Sequence, residues 1–200
     1  EDDQMMLHYQ PKVSLASREI VAAEALIRWQ DPNSGLIMPT EFVSLAEDAG
    51  LIDPLGRVVM TTACRAVAEW HAAGLPFLRL AVNVSAREVA RRSFYDDLRA
   101  IIAEHNVDPE ALELEITESA IMDNAEEVGQ SLRKIRALGI HLTADDFGTG
   151  YASLSHLRHL PLDGIKIDTT FVSDIDAPGS DGGLAAAVIA IGHSLGMNVV

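Results

Sequence analysis

A single cysteine, Cys64, is all the thiol chemistry this sequence offers, which excludes an internal disulfide and any zinc centre built on paired thiolates. Cys64 falls in a helical pattern between Ala63 and Ala66, where it reads as a small buried hydrophobe rather than a reactive group. Basic residues are also scarce: 15 Lys and Arg stand against 30 Asp and Glu, for a formal net charge of −15. That balance excludes a long nucleic-acid partner, which needs clustered cations to displace counterions. A small anionic substrate remains open if cations mediate, because metal ions held by carboxylates invert the local field. No apolar run reaches bilayer length before a charge or glycine interrupts it, so no direct membrane insertion is expected. Glu1-Asp2-Asp3 is acidic where a signal peptide carries positive charge, and the expected placement is cytoplasmic. No linker is visible either, since the Gly-rich polar patch Pro178 to Gly183 is short enough to be one loop. The 200 residues, 48% hydrophobic, fit one domain with a substantial core.

What is present is a regular alternation. Leu7 to Val13 and Glu19 to Arg28 read as strands around a polar turn at Ser17-Arg18. Thr40 can cap a helix to Ala49, and Asp53-Pro54 opens a longer one closed by Gly74, with an apolar stripe from Leu55 to Trp70. Strand Leu80 to Val84 precedes a broken helical stretch through His105, and strand Leu112 to Thr117 precedes a helix from Asn124 to Leu138. Strand Ile140 to Asp145 precedes a short helix near Ser153 to Arg158; strand Gly164 to Ile167 precedes a helix Leu184 to Leu195, and Asn198 to Val200 begins another strand. This many strand and helix units predict a parallel α/β architecture of the barrel kind.

Polar residues recur on one face of those strands. Glu24 shares its face with Ala22, Leu26 and Arg28; Asn83 with Ala81; Glu115 with Glu113 and Thr117; Asp145 with Thr143; Lys166 with Gly164 and Asp168. The opposite faces are apolar and suit a covering of helices, so the polar set lines the interior, in the C-terminal half of the strands, where barrel enzymes place their chemistry. Alternation sends Asp146 the other way from Asp145, with Leu142 and Ala144. Taken alone, Thr143 to Tyr151 reads equally well as an acidic turn, and the kinase-like Asp146-Phe147-Gly148 has no Gly-rich loop or His-Arg-Asp loop to accompany it. Convergence of five polar positions from five strands is what favours a site, because such groups are not desolvated without a ligand or metal. The donors are hard oxygens, which suit Mg²⁺ or Mn²⁺ and not zinc; the pair His156 and His159 has no third ligand at useful spacing. Lys166 can hold a water or phosphate oxygen, and Arg28 is placed to clamp a phosphate.

In these motifs the chain resembles the EAL domain, a family of cyclic di-GMP phosphodiesterases. The resemblance runs through Tyr9-Gln10-Pro11, Glu24-Ala25-Leu26 with Arg28-Trp29, Asn83-Val84-Ser85, Glu115-Ile116-Thr117-Glu118, the Asp145 to Tyr151 loop and Lys166-Ile167-Asp168. It implies a TIM-like (β/α)8 barrel with one antiparallel strand, a two-metal Mg²⁺ or Mn²⁺ site, and hydrolysis of cyclic di-GMP to linear pGpG. Glu24, Asn83, Glu115 and Asp145 resemble the first metal's ligands, and Asp146 resembles a ligand reaching the second. Glu24, Asp146 and Lys166 would be the catalytic group, Lys166 as the lysine that positions the attacking water. Gln10 and Arg28 resemble substrate contacts, Asp168 a further polar residue of the site, and Glu118 the glutamate that steadies the loop, although it also reads as a helix-start acid. Homodimers through the Asp145 to Tyr151 region, and fusion to sensory or GGDEF-type domains, belong to the same expectation.

The family continues after the strand at Asn198 to Val200 with a further active-site glutamate and later a glutamine, where this sequence stops at Val200. The whole of residues 1–200 is therefore expected to form an EAL domain with the last part of its barrel missing. A different class of function is also compatible: a catalytically silent receptor that binds cyclic di-GMP and relays its occupancy. Silent members of the family usually lose metal carboxylates, and every one visible here is present, which favours the enzyme.

Overall fold

Strands β1 (Met5–Val13) and β2 (Ile20–Asp31) form an antiparallel ladder from Met5 opposite Trp29 to Lys12 opposite Ala22, with a register shift at Lys12/Val13. The computed structural model that shows this describes residues 4–75, 78–123, 125–149, 157–173, 175 and 182–200. Most of the expected helix at Ser153 to Arg158, the site-loop residues Gly150 and Tyr151, His156, Asn124, and residues 178–181 of the Gly-rich patch lie outside the described residues. By its contacts the chain divides into two compact units, 1–84 with 93–113, and 85–92 with 114–200.

In the first unit β2 runs past the expected end and turns at Asp31, whose Oδ1 accepts from the amides of Asn33 (2.9 Å) and Ser34 (2.6 Å), into the short strand β3 (Gly35–Ile37). The turn chemistry of Asp-Pro-Asn-Ser-Gly explains this hairpin. Helix α1 (Pro39–Asp48) starts one residue before the expected cap Thr40, because Pro39 takes the first helical position and Met38 takes the cap. Helix α2 (Ile52–Ala72) buries Met60, Ala63, Cys64 and Val67 along one stripe and ends just before Gly74, at φ +87°. Strand β4 (Arg79–Asn83) then pairs parallel to β2 over Ala22 to Ala25. Glu24 thus sits in the first half of a long strand and not in its C-terminal half: β2 extends to pair with β1 and β3, while only its early residues meet β4.

A second unit begins with α3 (Ala86–Ala90), opened by a capping box in which Ser85 Oγ accepts from Glu88 N at 3.2 Å and Glu88 Oε2 accepts from Ser85 N at 2.9 Å. Helix α4 (Phe94–Glu104) returns to the first unit, burying Phe94, Leu98, Ile101 and Ile102. Strand β5 (Leu112–Thr117) gives its first two residues to the first unit and the rest to the second. Helices α5 (Glu118–Asp123) and α6 (Ala125–Ala137) follow, then β6 (His141–Phe147), β7 (Gly164–Ile167), α7 (Thr169–Ser173), α8 (Gly183–Ser194) and β8 (Asn198–Val199). The β6, β7 and β8 strands pair in parallel. Gly192 of α8 lies so close to β7 and β8 that a Cβ there would meet Val199 Cγ2 at 2.6 Å and Ile165 Cδ1 at 2.8 Å. Among the described residues, no helix is long and apolar enough to cross a membrane.

Candidate functional site

In the first unit Asn83, the last residue of β4, donates from Nδ2 to Glu24 Oε1 at 2.8 Å. This bond decides the amide's orientation: with Nδ2 spent on the carboxylate, Oδ1 is left as an acceptor or ligand atom. Glu24 is 8% exposed, so its carboxylate is held rather than hydrated. Gln10 stands opposite Glu24 on β1 and is exposed. Arg28 is half-buried with its Nη1 on Ile27 O at 2.8 Å, so its guanidinium is drawn back onto the main chain. Glu113, on the face of Glu115 by alternation, is neutralised by Lys12 Nζ at 2.9 Å with Arg79 Nη1 at 3.8 Å, and serves as a structural ion pair.

The second unit gathers Glu115, Asp145 and Lys166. Lys166 Nζ donates to Glu115 Oε2 at 3.0 Å and to Asp145 Oδ2 at 3.2 Å, and an oxygen of each carboxylate lies within 4.8 Å of one on the other. The Glu115 side chain is 0% exposed and that of Asp145 13%. Two carboxylates so close and so dry require a cation between them, and the lysine supplies that charge. The oxygens it holds are the donor type a hard divalent ion takes.

Asp146 departs from the expected alternation. The β6–β7 register shifts between Ala144 and Phe147, and Asp146 takes φ +52°, so its side chain is exposed instead of joining the buried Leu142 and Ala144. Its amide donates to Asp145 Oδ1 at 2.8 Å. Protein around the Asp146 carboxyl, although that carboxyl opens to solvent, raises its pKa by desolvation; the charges of Asp145 and Asp168 add to this, and Lys166 opposes them. Asp168 has a depressed pKa, first because it accepts from the Thr170 hydroxyl and next from the Thr170 amide. It therefore caps α7 as well as lying beside Asp146. Glu118 is the first residue of α5, and its Oε2 accepts from Gly148 N at 2.7 Å, on the loop that carries the aspartates.

Helix α7 and Phe171 within it escaped the sequence reading. The available signal was Asp168-Thr169-Thr170 ahead of Phe171 and Val172, an N-cap residue before an apolar pair, too short for periodicity to register.

Residues 1–200 match the EAL domain family from end to end. The chain belongs to that family. It is 44% identical over 199 residues to the cyclic di-GMP phosphodiesterase NbdA of Pseudomonas aeruginosa, covering 100% of this EAL domain and 25% of the relative. To the cyclic di-GMP phosphodiesterase PdeR of Escherichia coli it is 41% identical over 200 residues, covering 100% of this chain and 30% of that one. The solved structure of the PaMucR phosphodiesterase in complex with c-di-GMP superposes with a TM-score of 0.94 at 38% identity, over 98% of this EAL domain and 80% of that chain. The fold is accordingly the α/β, TIM-like fold of EAL domains, with β1 antiparallel to β2. This EAL domain spans about a quarter to a third of the curated relatives it matches.

Proposed function

We propose that this EAL domain hydrolyses cyclic di-GMP to linear pGpG with two divalent cations, Mg²⁺ or Mn²⁺, and that residues 1–200 act as one domain doing so. The observation that carries the reading is Lys166 standing between Glu115 and Asp145, a carboxylate cradle that already demands positive charge. All the donors are oxygens, and the oriented Asn83 amide with Glu24 offers two more of the same kind, so the residues fit hard cations. Glu24, Asn83, Glu115 and Asp145 would hold the first ion and Asp146 would reach the second. When bound, such ions polarise phosphoryl oxygens and make water a stronger nucleophile at neutral pH. Lys166 would orient the attacking water from its ammonium, while Gln10 and Arg28 bind the nucleotide, Arg28 by swinging from the Ile27 carbonyl to a phosphate oxygen. Asp168 would keep Asp146 in reach, and Glu118 would hold the loop. Cytoplasmic placement, fused sensory or GGDEF-type domains, and pairing of two copies through the Asp145 to Tyr151 region belong to the same reading and rest on the family relationship.

The test is pGpG formation from cyclic di-GMP with Mn²⁺, with excess chelator, and with Glu24→Ala or Asp145→Ala. Turnover that chelator and both substitutions abolish supports the proposal. Turnover that survives in either variant sinks the site, and tight nucleotide binding without any turnover would make the domain a receptor.

A further inference from the structure

The turn that presents Asp145 and Asp146 is gripped, within the second unit, by two groups. One is the Glu118 carboxylate, 1% exposed, on the Gly148 amide. The other is the ring of Phe171. A Cβ built on Gly148 would lie 2.7 Å from Phe171 Cε2 and 3.4 Å from both Cδ2 and Cζ, so the edge of the ring rests against the bare Cα. Gly148 is at φ +102°, a conformation that suits glycine alone, and the absent side chain is what lets the ring come so close.

Phe171 is itself fixed to the strand that bears the aspartates. Phe171 N donates to Asp168 O at 3.1 Å, and Asp168 N donates to Phe147 O at 3.5 Å. The Asp168 carboxylate accepts from Thr170 N at 2.8 Å and from the Thr170 hydroxyl. The path from Phe147 through Asp168 and α7 to the Phe171 ring therefore closes back on Gly148, the next residue along the chain. Inside the turn, Thr149 Oγ1 donates to Asp146 O at 2.9 Å and Asp146 N to Asp145 Oδ1. Those bonds shape the turn; the pairing of Phe147 with Ile167 and the Lys166–Asp145 contact tie its start to β7, and the ring and Glu118 hold it at Gly148.

We propose that Phe171 is a positioning residue, whose ring on Gly148 holds the Asp145-Asp146 turn in the conformation that aims Asp145 at the first cation and Asp146 at the second. The inference rests on the phosphodiesterase reading for what the aspartates do, and on geometry alone for what the ring does. A residue that only covered apolar surface would lower stability when trimmed and leave the metal untouched. A positioning residue moves metal affinity, by about 10- to 100-fold for groups that orient ligands from behind.

The test compares wild type, Phe171→Ala and Phe171→Leu in the protein that carries the domain. Amide exchange at Gly148 in chelator, the Kd for Mn²⁺ by calorimetry, and kcat and KM are measured. Phe171→Ala is expected to speed exchange at Gly148, weaken Mn²⁺ about tenfold or more, and lower kcat at fixed Mn²⁺ with KM for the nucleotide little changed. Phe171→Leu, which refills part of the contact, is expected to show exchange at Gly148 and Mn²⁺ affinity between those of wild type and Phe171→Ala, and that partial loss of both serves as the test if the alanine variant fails to fold. Unchanged exchange at Gly148, or faster exchange with unaltered Mn²⁺ affinity, overturns the proposal. A wild type that binds no Mn²⁺ overturns the phosphodiesterase reading instead, and the exchange result then decides the role of Phe171 by itself.

Discussion

Replacing Lys166 with methionine keeps the apolar stem and removes the charge that Glu115 and Asp145 share. Two carboxylates no more than 4.8 Å apart repel by about 3.5 kcal/mol at an effective dielectric of about 20. The Asp145 side chain is 13% exposed and that of Lys166 23%, so water relieves part of this and about 2–3 kcal/mol of destabilisation remains. For a chain of 200 residues that lowers the unfolding midpoint by roughly 5–10 °C. Thermal unfolding of Lys166→Met in chelator reads it directly. Added Mn²⁺ supplies the second arm: in the wild type a cation entering between these carboxylates shares them with an ammonium, whereas in the variant it meets two uncompensated charges. Mn²⁺ should therefore raise the variant's midpoint by more than the wild type's, since stabilisation follows ligand concentration over Kd. A variant as stable as wild type in chelator would refute the charge argument. A larger Mn²⁺ shift in the wild type would refute the idea that metal and lysine use the same oxygens.

Two further outcomes follow from burial and turn chemistry away from the site. Cys64 is 0% exposed and burial pushes its thiol up to about 12, so a thiol reagent at pH 8 should label the native protein only as fast as it unfolds; rapid stoichiometric labelling in buffer would contradict that. Asp31 has a depressed pKa, first from the Ser34 amide and next from the Asn33 amide. Its charged form therefore contributes stability above the ordinary carboxylate range near about 4, and that contribution is lost as pH falls through the lower folded value. Asp31→Asn should be less stable than wild type in urea at pH 7, with the gap narrowing as pH falls below the ordinary carboxylate range of about 4; a constant gap would mean the charge is irrelevant.

Residues with a periodic environment are legible in the sequence. The stripe of α2 and the strands β5 and β7 follow from helical spacing or alternation. What escaped is short or local. Strand β3 is three residues formed by a turn, α5 follows β5 without a break, and α7 has five residues, less than two turns. Hydrogen-bond direction escaped as well: that Asn83 turns its nitrogen to Glu24 depends on packing rather than pattern.

The adjacent aspartates show where alternation fails and why. Continued as a strand, the chain would turn Asp146 into the layer of Leu142 and Ala144, both 0% exposed. An unpaired carboxylate there carries a desolvation penalty of at least several kcal/mol even after relaxation. Twisting one residue into the left-handed region costs about 1–2 kcal/mol, and aspartate is among the residues that tolerate it best. The smaller cost wins: Asp146 takes φ +52° and faces solvent, and Phe147, 5% exposed, fills the apolar place and resumes pairing opposite Ile167. Two carboxylates joined by one peptide thus diverge, Asp145 onto Lys166 and Asp146 toward the open side near Asp168. The turn that separates them is what a site needs if neighbouring acids are to hold two different ions, and its next step, φ +102° at Gly148, makes glycine obligatory there.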